Sequence, residues 1–230
     1  MRRIVQSELL DTLPAGDAGA RHSRRDLRRI NAWMGHRSML TRALRSTTPV
    51  APRRIVELGA GDGTLALAVA TRLSRHWPGV EITLVDQYHL VTPETDASFR
   101  RLGWTPRLVQ ADARIWLATA AGACDVLWAN LFLHHFDAAD LQSLLRRAGA
   151  AGNSFVALEP RRHLTARAGC ELLRFIGCNH VTRHDARLSV RAGFRGHELS
   201  ALWPDQTGWR LCERPAGVFS HLFTATRAPA

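Results

Sequence analysis

The chain has 230 residues, nearly half of them apolar, which suits one domain with a real core and short additions better than two full domains. No apolar run approaches bilayer length, and Gln6, Ser7, Glu8 and Asp11 interrupt any signal-peptide core behind the basic start, so a cytoplasmic protein without a membrane span is expected. The formal charge is +11 and all 31 basic residues are arginine, a coding bias that reads first as a solvated surface attracting small anions and second as a nucleic-acid partner.

In chain order, residues 1–20 end in the small, turn-prone "LPAGDAGA" and read as a poorly ordered lead-in. Ser23 then offers an N-cap with Asp26 three residues on, and Leu27, Ile30 and Met34 follow at helical spacing. Gly35 ends or bends that helix, and Met39, Leu40, Ala43 and Leu44 continue an apolar face in a second one. Residues 1–50 are therefore expected to be a helical extension or cap, placed to cover a site built by residues 51–230.

From Arg53 the rhythm changes. "RRIVELG", "VEITLVDQ", "PRLVQAD", "CDVLWANLFLHHF" and "NSFVALEP" are five strand-like runs, with helical segments such as "DGTLALAVATRLSRHW" and "DAADLQSLLRRAGA" between them. Such alternation predicts right-handed crossovers and a parallel sheet covered on both faces. After a helix around "DARLSVRAGF", which Asp185 would open, "WRLCERP" and "VFSHLFTATR" read as a hairpin turning at Ala216 and Gly217. The fold class is thus α/β: a Rossmann-like, doubly wound, seven-stranded sheet with a terminal antiparallel hairpin.

Cys124, Cys170, Cys178 and Cys212 show no metal-ligand or disulfide spacing and read as buried free thiols. His180, His184 and Asp185 would permit a metal site but read as surface or capping residues, and no metal is expected.

In "VELGAGDGT", Gly59, Gly61 and Gly63 occupy the turn after the first strand, where doubly wound sheets bind ligands. A glycine there lets a ligand approach the main chain. The spacing departs from the dinucleotide fingerprint G-x-G-x-x-G, and Glu57 and Asp62 put negative charge where a pyrophosphate would be repelled, so a cationic cofactor is indicated. The stretch resembles motif I of the class I S-adenosylmethionine-dependent methyltransferases. The resemblance implies that Glu57, Gly59, Ala60, Gly61, Asp62 and Gly63 shape the S-adenosyl-L-methionine site. It also implies that Asp86, with Gln87, takes the ribose hydroxyls, that Asp112 and Ala113 hold the adenine, and that Asn130 and Leu131 line the methionine end. An acid after the second strand would by itself suit a ribose of either cofactor type.

Methyl transfer from a sulfonium needs positioning above all, and a protonated acceptor also needs a base. His134 and His135, in the loop after the fourth strand, are the candidate bases, though such a loop histidine can also have a structural role. Glu159 ends the fifth strand and would either orient an acceptor or pair with Arg161 or Arg162. The expected acceptor is a small molecule with an oxygen nucleophile. The alternatives are RNA or protein methylation, which the arginine content motivates, and a non-catalytic S-adenosylmethionine-binding protein. "ANLF" lacks the Pro-Pro-aromatic motif of many RNA amine methyltransferases.

Overall fold

The short apolar runs form parallel strands because a helix between successive runs carries the chain back to start the next strand in the same direction. The computed structural model describes residues 2–14 and 16–228. Its elements are α1 (Leu9–Thr12), α2 (Ala18–Trp33), α3 (His36–Thr47), β1 (Arg54–Leu58), α4 (Thr64–Leu73), β2 (Glu81–Asp86), α5 (Pro93–Arg101), β3 (Thr105–Gln110) and α6 (Ala113–Ala118). They continue with β4 (Val126–Asn130), α7 (Ala138–Ala151), β5 (Ser154–Pro160), α8 (Leu164–Leu172), α9 (His180–Ala192), α10 (Glu198–Leu202), β6 (Trp209–Ala216) and β7 (Ser220–Arg227).

The seven strands lie in the order β3-β2-β1-β4-β5-β7-β6, parallel from β3 through β5, with β7 antiparallel to β5 and β6. The order reverses at β1, which pairs Val56 with Thr83 of β2 on one side and with Leu127 of β4 on the other. A crevice opens beyond the carboxyl ends of the strands at such a switch point. Both faces of the sheet are covered, which is why the middles of β4 and β5 are apolar. Leu127, Ala129, Phe155 and Ala157 pack on one face with α7 residues Leu141, Leu144 and Leu145. Trp128, Val156 and Leu158 pack on the other with Leu40 and Leu44 of α3 and Val69 and Leu73 of α4.

Helix α3 is part of that second layer. His36 Nε2 lies 3.0 Å from Ser220 Oγ of β7, and Ser154 Oγ of β5 donates to the Thr47 carbonyl at 3.1 Å. Gly35, at φ +74°, separates α2 from α3 as the sequence predicted.

Other local expectations fail for tertiary reasons. Helix α2 starts six residues before the expected site: Asp17, not Ser23, is the N-cap, accepting from the Ala20 amide. Ser23 and Asp26 are interior and buried, and Asp26 Oδ2 accepts from the Asn179 amide and the Thr182 hydroxyl across the interface with α9. Asp185 does not open α9 either; Asn179 caps it, accepting from Thr182 N. The hairpin turns over residues 217–219, one to two positions later than expected. Cys212 is exposed on the edge strand β6, whereas the other three thiols are buried.

The lead-in is tied down. Arg3 Nε donates to the Ala192 carbonyl and its NH2 to the Phe136 carbonyl, both at 2.7 Å, while the guanidinium sits 4.6 Å from the Phe194 ring centroid. Met1 and Ala15, which the same expectation covered, lie outside the described residues.

Burial pushes the His36 imidazole from 6.5 down to about 4. The unfolded chain binds a proton that the native one refuses, so this group contributes stability that is complete above pH 6.5 and is lost as the pH falls through 4. Denaturant melts between those two values should show wild type losing on the order of 3 kcal/mol more than His36→Gln, in which this titration is removed.

Candidate functional site

The turn after β1 carries three glycines for two different reasons, all at positive φ. A Cβ on Gly59 would stand 2.4 Å from Phe132 Cδ2, and one on Gly63 would press on Leu84 at 3.2 Å. A Cβ on Gly61 would meet nothing within 4 Å, because that face opens into a cavity. Glycines 59 and 63 thus serve packing, whereas Gly61 keeps the main chain accessible.

Asp86, at the end of β2, fastens this turn to the sheet. Its Oδ2 accepts from Gly61 N at 2.8 Å and its Oδ1 from Tyr88 N at 2.9 Å. Burial raises its carboxyl above the ordinary range despite those two amides. Glu57 is buried more deeply: burial, then the charges of Asp86 and Asp62, push its carboxyl well above the ordinary range, and its Oε2 has no hydrogen-bond partner among the described residues. Asp62 accepts from Thr64 N and pairs with Arg28 of α2 at 2.6 Å. Asp112 caps α6, accepting from Arg114 N at 2.7 Å, and the Arg114 guanidinium holds its carboxyl below the ordinary range.

The loop after β4 is bent. Leu131 sits at φ +50°, a region that non-glycine residues seldom occupy. Glu159, fully buried at the end of β5, holds the bend: Oε1 accepts from Phe132 N at 3.0 Å and Leu133 N at 2.9 Å, and Oε2 from His134 N at 3.3 Å. The same Oε2 lies 2.9 Å from His134 Nδ1. Its partner is therefore His134, not Arg161 or Arg162; Arg162 pairs with Glu198.

His134 is held between two carboxylates, since its Nε2 faces Glu8 Oε1 at 3.3 Å. Burial alone would lower its pKa, but the hydrogen bonds and charges of Glu159 and Glu8 outweigh that and raise it to about 9. His135 lies beside it, ring centroids 4.2 Å apart, with Nδ1 3.2 Å from Asp11 Oδ2.

Glu8 and Asp11 reach this place because α1 is fastened from outside. Asp185 of α9 accepts from Leu9 N at 2.8 Å and Leu10 N at 2.9 Å, supplying the amide partners that so short a helix lacks. Glu8 also accepts from Ser189 of α9, and Tyr88 donates to the Asp11 carbonyl at 3.1 Å.

These elements enclose a cavity of about 570 Å³. Glu57, Gly59, Ala60, Gly61, Asp62, Asp86, Gln87, Asp112, Ala113, Asn130 and Leu131 all line it, as do His134 and His135. Gly63 lies beneath the turn and Glu159 beneath the β4 loop, neither on the wall. The far wall is largely apolar, with Trp33 and Met34 from α2, Cys170 of α8 with Leu173 just beyond it, Val190 from α9, and Phe219 from the hairpin turn. His180 and His184 are absent from the wall, and Asp185, which lines it, is engaged with α1; the three do not converge on one point. Sequence reasoning missed Glu8, Asp11 and Ser189. No local pattern marks them, since only the docking of residues 2–13 brings the first two to the cavity.

Residues 55–151 match the sequence model of a methyltransferase domain. Solved structures of similar fold include the plantazolicin methyltransferase BamL in complex with a triazolic desmethylPZN analog and SAH, at 12% identity over 95% of this chain and 93% of that one, with a TM-score of 0.66. The plantazolicin methyltransferase BpumL in complex with SAH aligns at 13% identity over 93% and 92%, TM-score 0.63. An O-methyltransferase family protein from Burkholderia thailandensis aligns at 17% identity over 94% and 64%, TM-score 0.56. At such identities the likeness is one of fold. No curated protein matches the chain in sequence.

Asp185→Ala should leave the Leu9 and Leu10 amides without partners at a cost of about 1–3 kcal/mol, felt in α1 rather than in the sheet. Hydrogen exchange should then quicken at those two amides while β4 and β5 keep their protection. Unchanged exchange at Leu9 and Leu10 would mean that the carboxylate does not hold α1.

Proposed function

We propose that this chain, whose residues 55–151 match a methyltransferase domain on a fold shared with SAH-bound methyltransferases, is a class I S-adenosylmethionine-dependent enzyme that methylates a small-molecule acceptor through an oxygen nucleophile. The observation that carries this reading is the cavity, acidic and glycine-lined at the β1–β2 end and apolar at the α2–α8–α9 end. Its volume is in the range of small-ligand sites, about 300–1,000 Å³.

The residues present fit the cofactor. Glu57 Oε2 is a buried carboxyl oxygen with no partner among the described residues, the Gly61 face is open, and the acidic groups of Glu57, Asp62 and Asp86 together favour a cationic ligand. When bound, S-adenosylmethionine supplies an electrophilic methyl group on a sulfonium. In this reading Asp86 accepts from the ribose hydroxyls with Gln87 beside it, Asp112 and Ala113 hold the adenine edge, and Asn130 and Leu131 border the methionine end. Gly59 and Gly63 act indirectly, by allowing Phe132 and Leu84 to pack against the turn.

The acceptor would lie against Trp33, Leu173 and Phe219, its hydroxyl toward Glu8, His134 and His135. That cluster is where its proton would go. His134 already has both ring nitrogens facing carboxylates, so its part is to fix the cluster, and His135, partly exposed and backed by Asp11, is the better placed proton acceptor. Glu159 is a positioning residue: it sets the His134 ring and the β4 loop without touching the cavity. Residues 1–50 serve as a cap in this reading, residues 2–13 and α2 forming the cover and α3 fixing it to the sheet.

Label from methyl-labelled S-adenosylmethionine, incubated with the chain and a cell extract, should enter the organic-soluble fraction and be absent with Gly61→Val; label confined to RNA or protein would overturn the acceptor class. By calorimetry, Gly61→Val and Asp86→Ala should each weaken S-adenosylmethionine binding by about tenfold or more, the loss of one charged hydrogen-bond set. Unaltered affinity in Asp86→Ala would refute the ribose assignment.

A further inference from the structure

The proton-accepting end of the cavity has the donor set of a metal centre. Glu8, His134 and His135 each present one ligand atom within 4.8 Å of the others. The 3.3 Å between Glu8 Oε1 and His134 Nε2 is close to the roughly 3.4 Å edge of a tetrahedron whose ligands stand about 2.1 Å from the ion. His135, the partly exposed member, can close the remaining distance by turning about its side-chain bonds.

Two further observations point the same way. A carboxylate can only accept, so the contact with Glu159 places a proton on His134 Nδ1 and directs Nε2 at Glu8. Glu159 is itself immobilised by three main-chain amides. A ligand imidazole whose other nitrogen is fixed by a buried carboxylate is the usual outer-shell arrangement of metal-binding histidines. The cluster is also rich in acid: Glu8, Glu159 and Asp11 bring three carboxylates to two imidazoles, with the Arg3 guanidinium as the further charge acting on Glu159.

We propose that Glu8, His134 and His135 bind one divalent transition-metal cation, with the remaining coordination position open to the cavity. Two imidazoles and one carboxylate with an open position are the ligand set of catalytic zinc sites, and imidazole–carboxylate sets equally suit cobalt or iron(II). In place of the proton on Nε2, the ion would bridge His134 and Glu8 and fasten residues 2–13 over the cavity. Its role toward the acceptor rests on the reading of this cavity given above, with one change: His135 would then be a ligand, the ion would acidify an acceptor oxygen in the open position, and the proton would pass to Asp11 beside it. Binding of the ion does not depend on that reading. No spacing in the sequence marks these three residues as a metal site, because positions 8, 134 and 135 follow no ligand pattern.

The chain, stripped of metal with a chelator, is titrated with Co²⁺ as the probe and followed by visible d–d absorption and calorimetry. SAH binding is measured on the same samples. The expected result is one Co²⁺ per chain, displaced by Zn²⁺, and bound at least about tenfold more weakly by Glu8→Gln and by His135→Ala, since loss of an outer-shell partner alone costs that much. His135→Ala removes a partly exposed ring, so its circular dichroism should match wild type. Wild type that binds SAH but no Co²⁺ overturns the proposal, as does equal Co²⁺ affinity in wild type and His135→Ala. Co²⁺ binding without SAH binding would sustain the metal site and refute the cofactor reading instead.

Discussion

The site depends on one buried carboxylate. Glu159 ends β5, is closed off from solvent, and gathers three consecutive main-chain amides and one imidazole from the loop after β4. A carboxylate so buried is tolerated only if its charge is fully met by donors, and here the donors are what the loop has to offer. The return is the left-handed turn at Leu131, which aims Phe132 back at Gly59 and sets His134 and His135 on the cavity wall. The glycine turn after β1 and the acid–imidazole cluster are thereby fixed relative to one another through a single side chain.

The same device recurs through the molecule. Asp125 accepts from Arg53 N and Arg54 N at the entry to β1, Asp185 from Leu9 N and Leu10 N, Glu213 from Leu199 N and Ser200 N, and Asp86 from Gly61 N and Tyr88 N. In each case but that of Tyr88, which lies two residues from Asp86, the acid holds amides from another segment of the chain, and most of these amides begin or precede a helix or strand whose ends need partners. A chain with 20 acidic residues that commits several of them to its own backbone has fewer left to neutralise its 31 arginines. Part of the basic surface therefore follows from the architecture and need not signal a polyanionic partner.

How much of this could be read from residues alone depends on range. The strands, their parallel order and the terminal hairpin were legible because alternation of apolar runs with helical segments is local, and so was the turn of Gly59, Gly61 and Gly63. The lining residues after β2, β3 and β4 follow from strand ends, which topology places at one edge. What sequence could not reveal is set by contacts between distant segments. Ser23 and Asp26 look like a helix start but are claimed by Thr182 and Asn179, and Asp185 looks like a cap on its own helix but caps another. Glu8 lies in a stretch with neither periodicity nor motif, and its place beside His134 exists only once α9 has formed a surface for it.

The fastening of α1 also imposes an order in time. Leu9 and Leu10 are held by a residue 176 and 175 positions further along, so on the ribosome residues 2–13 are synthesised long before their anchor. They must wait, unbound, while the sheet is laid down from β1 to β5 and α9 emerges. Residues 2–13 therefore dock only after α9 has formed, and the cavity stays open until then.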